Sequence, residues 1–151
     1  LVMVLGMAQT SVLCTAAQLG LADHLKDGPQ SVAALAEATG THLPTFTRLM
    51  GVLVHLGLFG ETAPGQFTCT PLGALLQTDA PQSVRHFAML MGGEWFGPMW
   101  PRLAQSVRTG TSAFESVVGM NIYSYLPQHP AALAVILNAM RVLAYRSGEE
   151  P

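Results

Sequence analysis

The side chains that could do chemistry in this 151-residue chain are few and scattered. Its five histidines, His24, His42, His55, His86 and His129, show no HxH or HxxxH spacing. No pair is therefore set to hold a metal from one helix face. His86 and Glu94 could form a general acid–base pair beside a pocket; the plainer reading is a satisfied or surface histidine on a mixed helix. Cys14 and Cys69 lie far apart and read as small core residues in a reducing, cytoplasmic compartment. No GxSxG elbow, phosphate loop or glycine-rich dinucleotide loop occurs. The residues thus give no catalytic, cofactor-binding or metal-binding set of their own.

Binding is better represented than catalysis. Between Phe87 and Tyr125 lie Phe87, Trp95, Phe96, Trp100, Phe114, Tyr123 and Tyr125, with Met89, Met91, Met99 and Met120 among them. Both tryptophans of the chain are in this stretch. Flexible methionines beside flat rings suit the wall of a pocket for a planar apolar ligand, and ordinary core is the alternative. The Gly92–Gly93 break beside Glu94 and Trp95 favours the pocket, because loops next to aromatics often border sites.

Helices must position these residues. A first helix is predicted over Leu1–Gln18 and a short second over Leu21–Lys26, stopped by Asp27-Gly28-Pro29. Ser31 caps a third, Val32–Thr39, and Gly40 ends it. A fourth runs from Pro44 to Leu56, with Phe46, Leu49, Met50, Leu53 and Leu56 at helical spacing. Then the period changes: Leu58–Glu61 and Gln66–Cys69 read as two strands of a hairpin. Thr70 and Pro71 open another helix. Further helices are predicted over Gln82–Met91, Phe96–Arg108, Ile122–Leu126 and Pro130–Arg146, with a loop carrying Phe114 and a linker-like tail, Ser147–Pro151. Helix, helix, hairpin is a winged helix-turn-helix pattern, placed here at about 31–76; pocket-lining helices follow at about 81–146. The chain reads as a single domain, 1–151, mainly α with a small β-hairpin.

Charge narrows the partners. Half of the residues are hydrophobic and 11% are charged, with a net charge of -2, against about 25% charged in ordinary soluble domains. So apolar a chain points to an oligomer or to a neighbouring domain. The first charged residue is Asp23, yet Ser11, Thr15 and Gln18 form a polar stripe on the first helix. A helix of that kind is expected between subunits rather than in a membrane. Between Ser31 and Leu76 one arginine, Arg48, faces two glutamates, Glu37 and Glu61, for a net of -1. A DNA reader needs basic side chains on its second helix, so the winged helix is expected to be a packing module and not to bind nucleic acid.

Several ordered motifs resemble one family. Gln18-Leu-Gly-Leu-Ala-Asp-His-Leu25 and Gly28-Pro-Gln-Ser-Val-Ala-Ala-Leu-Ala-Glu-Ala-Thr-Gly40 come first. Arg48-Leu-Met-Gly-Val-Leu-Val-His-Leu-Gly-Leu-Phe59 and Phe67-Thr-Cys-Thr-Pro-Leu-Gly73 follow. Arg108-Thr-Gly110, Ala113-Phe-Glu115, Tyr125-Leu-Pro-Gln-His-Pro130 and Ala139-Met140 complete the order. Together they resemble the N-terminal domain of bacterial S-adenosylmethionine-dependent small-molecule O-methyltransferases, of the caffeate and polyketide type, over nearly the whole chain.

That resemblance implies a homodimer formed by helix exchange and a lid over an aromatic or polyketide-like acceptor. It makes Trp95, Phe96, Trp100, Met120 and Tyr123 the expected substrate contacts, with Asn138 and Met140 behind them. Ile136 stands where relatives have Phe, which alters the pocket wall. Relatives continue into a Rossmann-like catalytic domain that binds S-adenosylmethionine; its motifs do not occur in these residues. The chain alone is therefore expected to bind no cofactor and to need a separate or covalently linked catalytic domain. Two alternatives stay open: a stand-alone ligand-binding or partner subunit, and a winged-helix transcription regulator.

Overall fold

Residues 3–146 are described by a computed structural model, in which the first helix begins later than its apolar composition predicts. Helix α1 spans Gly6–Gln18 and follows a turn through Met3–Leu5. The predicted start at Leu1 and the tail Ser147–Pro151 lie outside the described residues. Thr10, Ser11 and Thr15 donate their hydroxyls to the carbonyls of Gly6, Met7 and Ser11, each four residues back. Those polar groups are satisfied within the helix and make no demand on a neighbour. Cys14, Ala16 and Ala17 face inward, whereas Ser11 and Gln18 stay exposed. Helix α2 (Leu21–His24) then buries Leu21 and Ala22.

Ser31 fills the predicted capping role: its Oγ accepts the amide of Ala34 at 3.1 Å, starting α3 (Val32–Ala38). Helix α4 (Leu43–His55) carries Pro44 in its first turn, where a missing amide costs nothing. Phe46, Met50 and Leu53, at i, i+4 and i+7, are at most 2% exposed. Burying each such side chain stabilises the fold by roughly 1.5–3 kcal/mol. Leu49 and Leu56 of the same predicted set are half-buried at its edge. Gly57, at φ 77°, reverses the chain in the left-handed region.

The hairpin follows as predicted, with β2 at Phe59–Ala63 and β3 at Gln66–Cys69, antiparallel and bulged between Glu61 and Ala63. A two-residue strand lies on its other side. This strand, Gln30–Ser31, pairs Gln30 with Phe67 and Ser31 with Gln66. Two residues carry no alternation, so nothing in the sequence marked it. Numbered in chain order it is β1, and the sheet order is β1-β3-β2. The helix predicted after Thr70 is only a 3₁₀ turn, Gly73–Leu76. Thr70 Oγ1 accepts the Gly73 amide at 3.1 Å, and a Cβ on Gly73 would stand 2.0 Å from the Leu58 carbonyl oxygen. The turn is pinned to the hairpin too tightly to open into a helix.

The second half hangs on α5 (Arg85–Gly92), which packs between α1 and α9 (Pro130–Arg146). Between α5 and α9 lie a 3₁₀ stretch Gly97–Arg102 and the short helices α6 (Leu103–Thr109), α7 (Ala113–Val118) and α8 (Ile122–Tyr125). A single helix was expected from Phe96 to Arg108. Pro98 and Pro101 lack the amides that α-helical bonding needs, and the chain takes the tighter form there. Helix α7, expected as loop, is a single turn and a half around Phe114, too short for a periodic signal.

One polar network joins the halves. Asp23 of α2 accepts the Thr78 amide at 2.8 Å and the Thr78 hydroxyl at 2.7 Å, and it pairs with the Arg85 guanidinium. Burial pushes the Asp23 carboxyl up, but the Thr78 hydrogen bonds and the Arg85 charge outweigh it and hold the pKa below the usual carboxylate value. A depressed folded-state pKa contributes stability above the unfolded value of about 3.9 and loses it as pH falls through the folded value. Asp23→Asn is therefore expected to cost about 1–2 kcal/mol at pH 7. In urea titrations its gap to the wild type should narrow as pH falls below the unfolded carboxylate value of about 3.9; a gap that ignores pH would contradict this assignment.

Candidate functional site

A concavity forms where α1 crosses α5. Gly92 sets how close they come: a Cβ there would lie 2.5 Å from Cys14 Cβ and 2.9 Å from the Thr10 carbonyl oxygen. Cys14 is 3% exposed, and its thiol points to the Met89 carbonyl at 3.9 Å. The chain then turns at Gly93, where a Cβ would stand 2.3 Å from the Met89 carbonyl oxygen, and the Gly97 amide bonds back to the Gly93 carbonyl at 2.9 Å. This fold-back brings the Glu94–Trp100 segment beside the first turns of α1. Between them opens a groove of about 590 Å³. Met3, Met7, Thr10 and Ser11 form one wall; Met91, Glu94, Pro98 and Trp100 form the other.

The groove is apolar and uncovered. Met3 is 95% exposed, Val4 81%, Met7 56% and Trp100 47%. Glu94 is exposed on the rim, and no cationic side chain lines the groove.

A row of rings braces the segment at Phe96. Phe96 meets Phe114 at 6.5 Å between centroids, Phe114 meets Tyr125 edge-on at 5.3 Å, and His129 stacks on Tyr125 at 3.6 Å. His129 Nδ1–H donates to the Tyr125 carbonyl at 2.9 Å. Phe114, 9% exposed, is the buried centre of this row. Ring pairs of this geometry add about 0.5–1.5 kcal/mol beyond the area they bury.

The structure separates the substrate contacts that the resemblance implies. Trp100 lines the groove. Trp95 and Phe96 are half-buried on the same segment, and Phe96 is occupied with Phe114. Met120 is half-buried, with its sulfur 3.9 Å from the Gln128 amide nitrogen. Tyr123 stands 85% exposed, and Met140 on α9 is 43% exposed; Asn138 on the same helix is half-buried. Met3, Met7 and Thr10 also line the groove, and the charge-free run before Asp23 is the only sequence signal that bears on them.

Chemically active groups are not gathered here. No hydrogen bond or ion pair joins His86 to Glu94; the ion pairs among the described residues are Lys26–Asp79 and Asp23–Arg85. Burial raises the Cys14 thiol above its ordinary pKa, and burial with the Asp23 charge raises that of Cys69, so neither is an activated nucleophile. Among the described residues no group of three His, Cys, Asp or Glu side chains could hold a metal ion. No helix among them is long and apolar enough to cross a membrane. What the site offers is a surface to bind with.

Known proteins share this architecture. The O-methyltransferase dimerisation domain matches residues 2–79. Phenazine O-methyltransferase PhzM of Lysobacter antibioticus is 39% identical over 130 residues, 86% of this chain and 38% of its own length. O-methyltransferase SfmM3 of Streptomyces lavendulae is 38% identical over 123 residues, 82% of this chain and 36% of its own length. The crystal structure of LaPhzM superposes with a TM-score of 0.91 at 36% identity, over 95% of this chain and 43% of that one. The chain thus spans less than half the length of these relatives.

Proposed function

This chain belongs to the O-methyltransferase dimerisation domain family, and from that premise we propose that it pairs two copies and forms one wall of an acceptor-binding site for methyl transfer. The observation that carries this reading is the uncovered apolar run of Met3, Val4, Leu5 and Met7, through the turn before α1 and its first turn, leading into the groove beside Trp100. A second copy, docked by helix exchange, covers Met3, Val4 and Leu5. The module at 31–76 acts as a winged helix used for packing, in keeping with its net charge of -1, one arginine against two glutamates. The helices of 81–146 carry the acceptor wall, with Trp95, Phe96, Trp100, Met120 and Tyr123 toward the acceptor and Asn138 and Met140 behind them. The acceptor is a flat aromatic natural product bearing a hydroxyl.

S-adenosylmethionine supplies the methyl group in this reading. A cradle for it needs a strand, a glycine-rich turn and a helix N-terminus. The described strands are short and antiparallel, and no such unit follows one. These residues do not fit the donor, and no step of the transfer is assigned to them. Their part is to hold and orient the acceptor and to keep water from it.

Calorimetry of the chain with a panel of neutral flat phenols tests this function. Saturable binding is expected at micromolar to millimolar concentration, weakened about tenfold by Trp100→Ala, since truncating a central aromatic removes 1–2 kcal/mol or more. No saturable heat with any ring system would overturn it.

A further inference from the structure

The span from Gly93 to His129 keeps its bonds to itself. Its side-chain hydrogen bonds to described residues, from Thr109 with Gln105 to His129 with Tyr125, all close within the span. So does the ring row Phe96–Phe114–Tyr125–His129. Both ion pairs among the described residues lie elsewhere. The elements of the span pack mainly on one another and on the flanking helices α5 and α9. Phe114 is the one buried side chain between Gly93 and His129. Little apolar burial therefore fastens the span to the body built from α1 to α5 and the sheet. Its two ends suit hinges. Gly93 leaves α5 with extended backbone, at φ -78° and ψ 179°. Pro130 opens α9 and has no amide, so a turn there breaks no hydrogen bond of its own.

We propose that Gly93–His129 is a strap that swings as one body about Gly93 and the His129–Pro130 junction, stiffened inside by the ring row. A unit opens separately from the core where few buried apolar contacts hold it there. Bonds that close inside the unit survive the motion, and hinges lie at element ends that absorb the change in φ and ψ. The strap carries Pro98 and Trp100, which stand across the groove from Met7 and Thr10 of α1. Its swing therefore sets how wide that groove stands, whatever comes to fill it.

Pulsed electron spin resonance on the full chain, as it assembles in solution, tests the swing. Labelled chains are diluted in an excess of unlabelled ones, so that distances within one chain are read. Val107→Cys with Ser124→Cys, both at exposed positions of the strap, gives the inner pair. Val107→Cys with Thr47→Cys on α4 gives the outer pair. Cys69→Ser removes the half-buried native thiol; Cys14 is 3% exposed. The outer distance distribution is expected to be at least about twice as wide as the inner one. Phe114→Leu should widen the inner distribution toward the outer. An outer distribution as narrow as the inner one overturns the swing and means that the strap is fixed to the body, by its own packing or by a second copy. An inner distribution as wide as the outer overturns the single body. Indifference of the inner pair to Phe114→Leu overturns the ring row as the stiffener.

Discussion

Replacing Gly92 by valine is expected to cost at least about 3 kcal/mol and to pry α1 away from α5. Even the first added carbon would lie 2.5 Å from Cys14 Cβ and 2.9 Å from the Thr10 carbonyl oxygen. Neither neighbour is the free end of a flexible side chain, so the helices themselves must separate. For a chain of this size that loss lowers the melting temperature by roughly 10 °C. The groove is built on this crossing, so ligand quenching of tryptophan should be lost with it, even in the fraction still folded. Gly51→Ala is the matched control. Gly51 lies in α4, and a Cβ there meets nothing within 4 Å. Alanine there should raise stability by about 0.5–1 kcal/mol. Two glycines on helices thus respond with opposite signs, and melting curves settle it. An unchanged Gly92→Val would mean that α1 does not rest on α5.

Charging the free apolar edge formed by the turn before α1 and its first turn has the second large effect. Val4 and Met7 are 81% and 56% exposed in the single chain. Val4→Lys with Met7→Lys should therefore leave the circular dichroism spectrum unchanged. In a paired interface the same two substitutions bury unpaired ammonium groups, which costs about 3 kcal/mol or more, a hundredfold or greater rise in the dimer dissociation constant. Sedimentation velocity of the double variant should show single chains at concentrations where the wild type stays paired. A variant that still pairs would move the interface off α1.

Much of the fold was written locally, and its legibility followed the range of each signal. Ser31, Gly57 and the i, i+4, i+7 set Phe46, Met50 and Leu53 act within one or two turns of helix, and each stands where its spacing placed it. Strand β1, with two residues, and helix α7, with six, are too short to repeat any pattern twice. The Pro98 and Pro101 pair was visible, but its effect, 3₁₀ in place of α, depends on how amides find partners in the folded chain. The site was legible only in part. Trp100 belongs to the aromatic stretch marked by composition. Its partners Met3 and Met7 lie more than ninety residues away, and only the crossing at Gly92 brings them opposite. Gly92 itself was read as a helix break; in the fold it is also the contact that makes the groove.

The central claim is that α1 pairs two chains, and multi-angle light scattering across a micromolar concentration series tests it most directly. The account expects a particle of twice the chain mass of 16.0 kDa, dissociating only on dilution. A particle of 16.0 kDa throughout that series would contradict it.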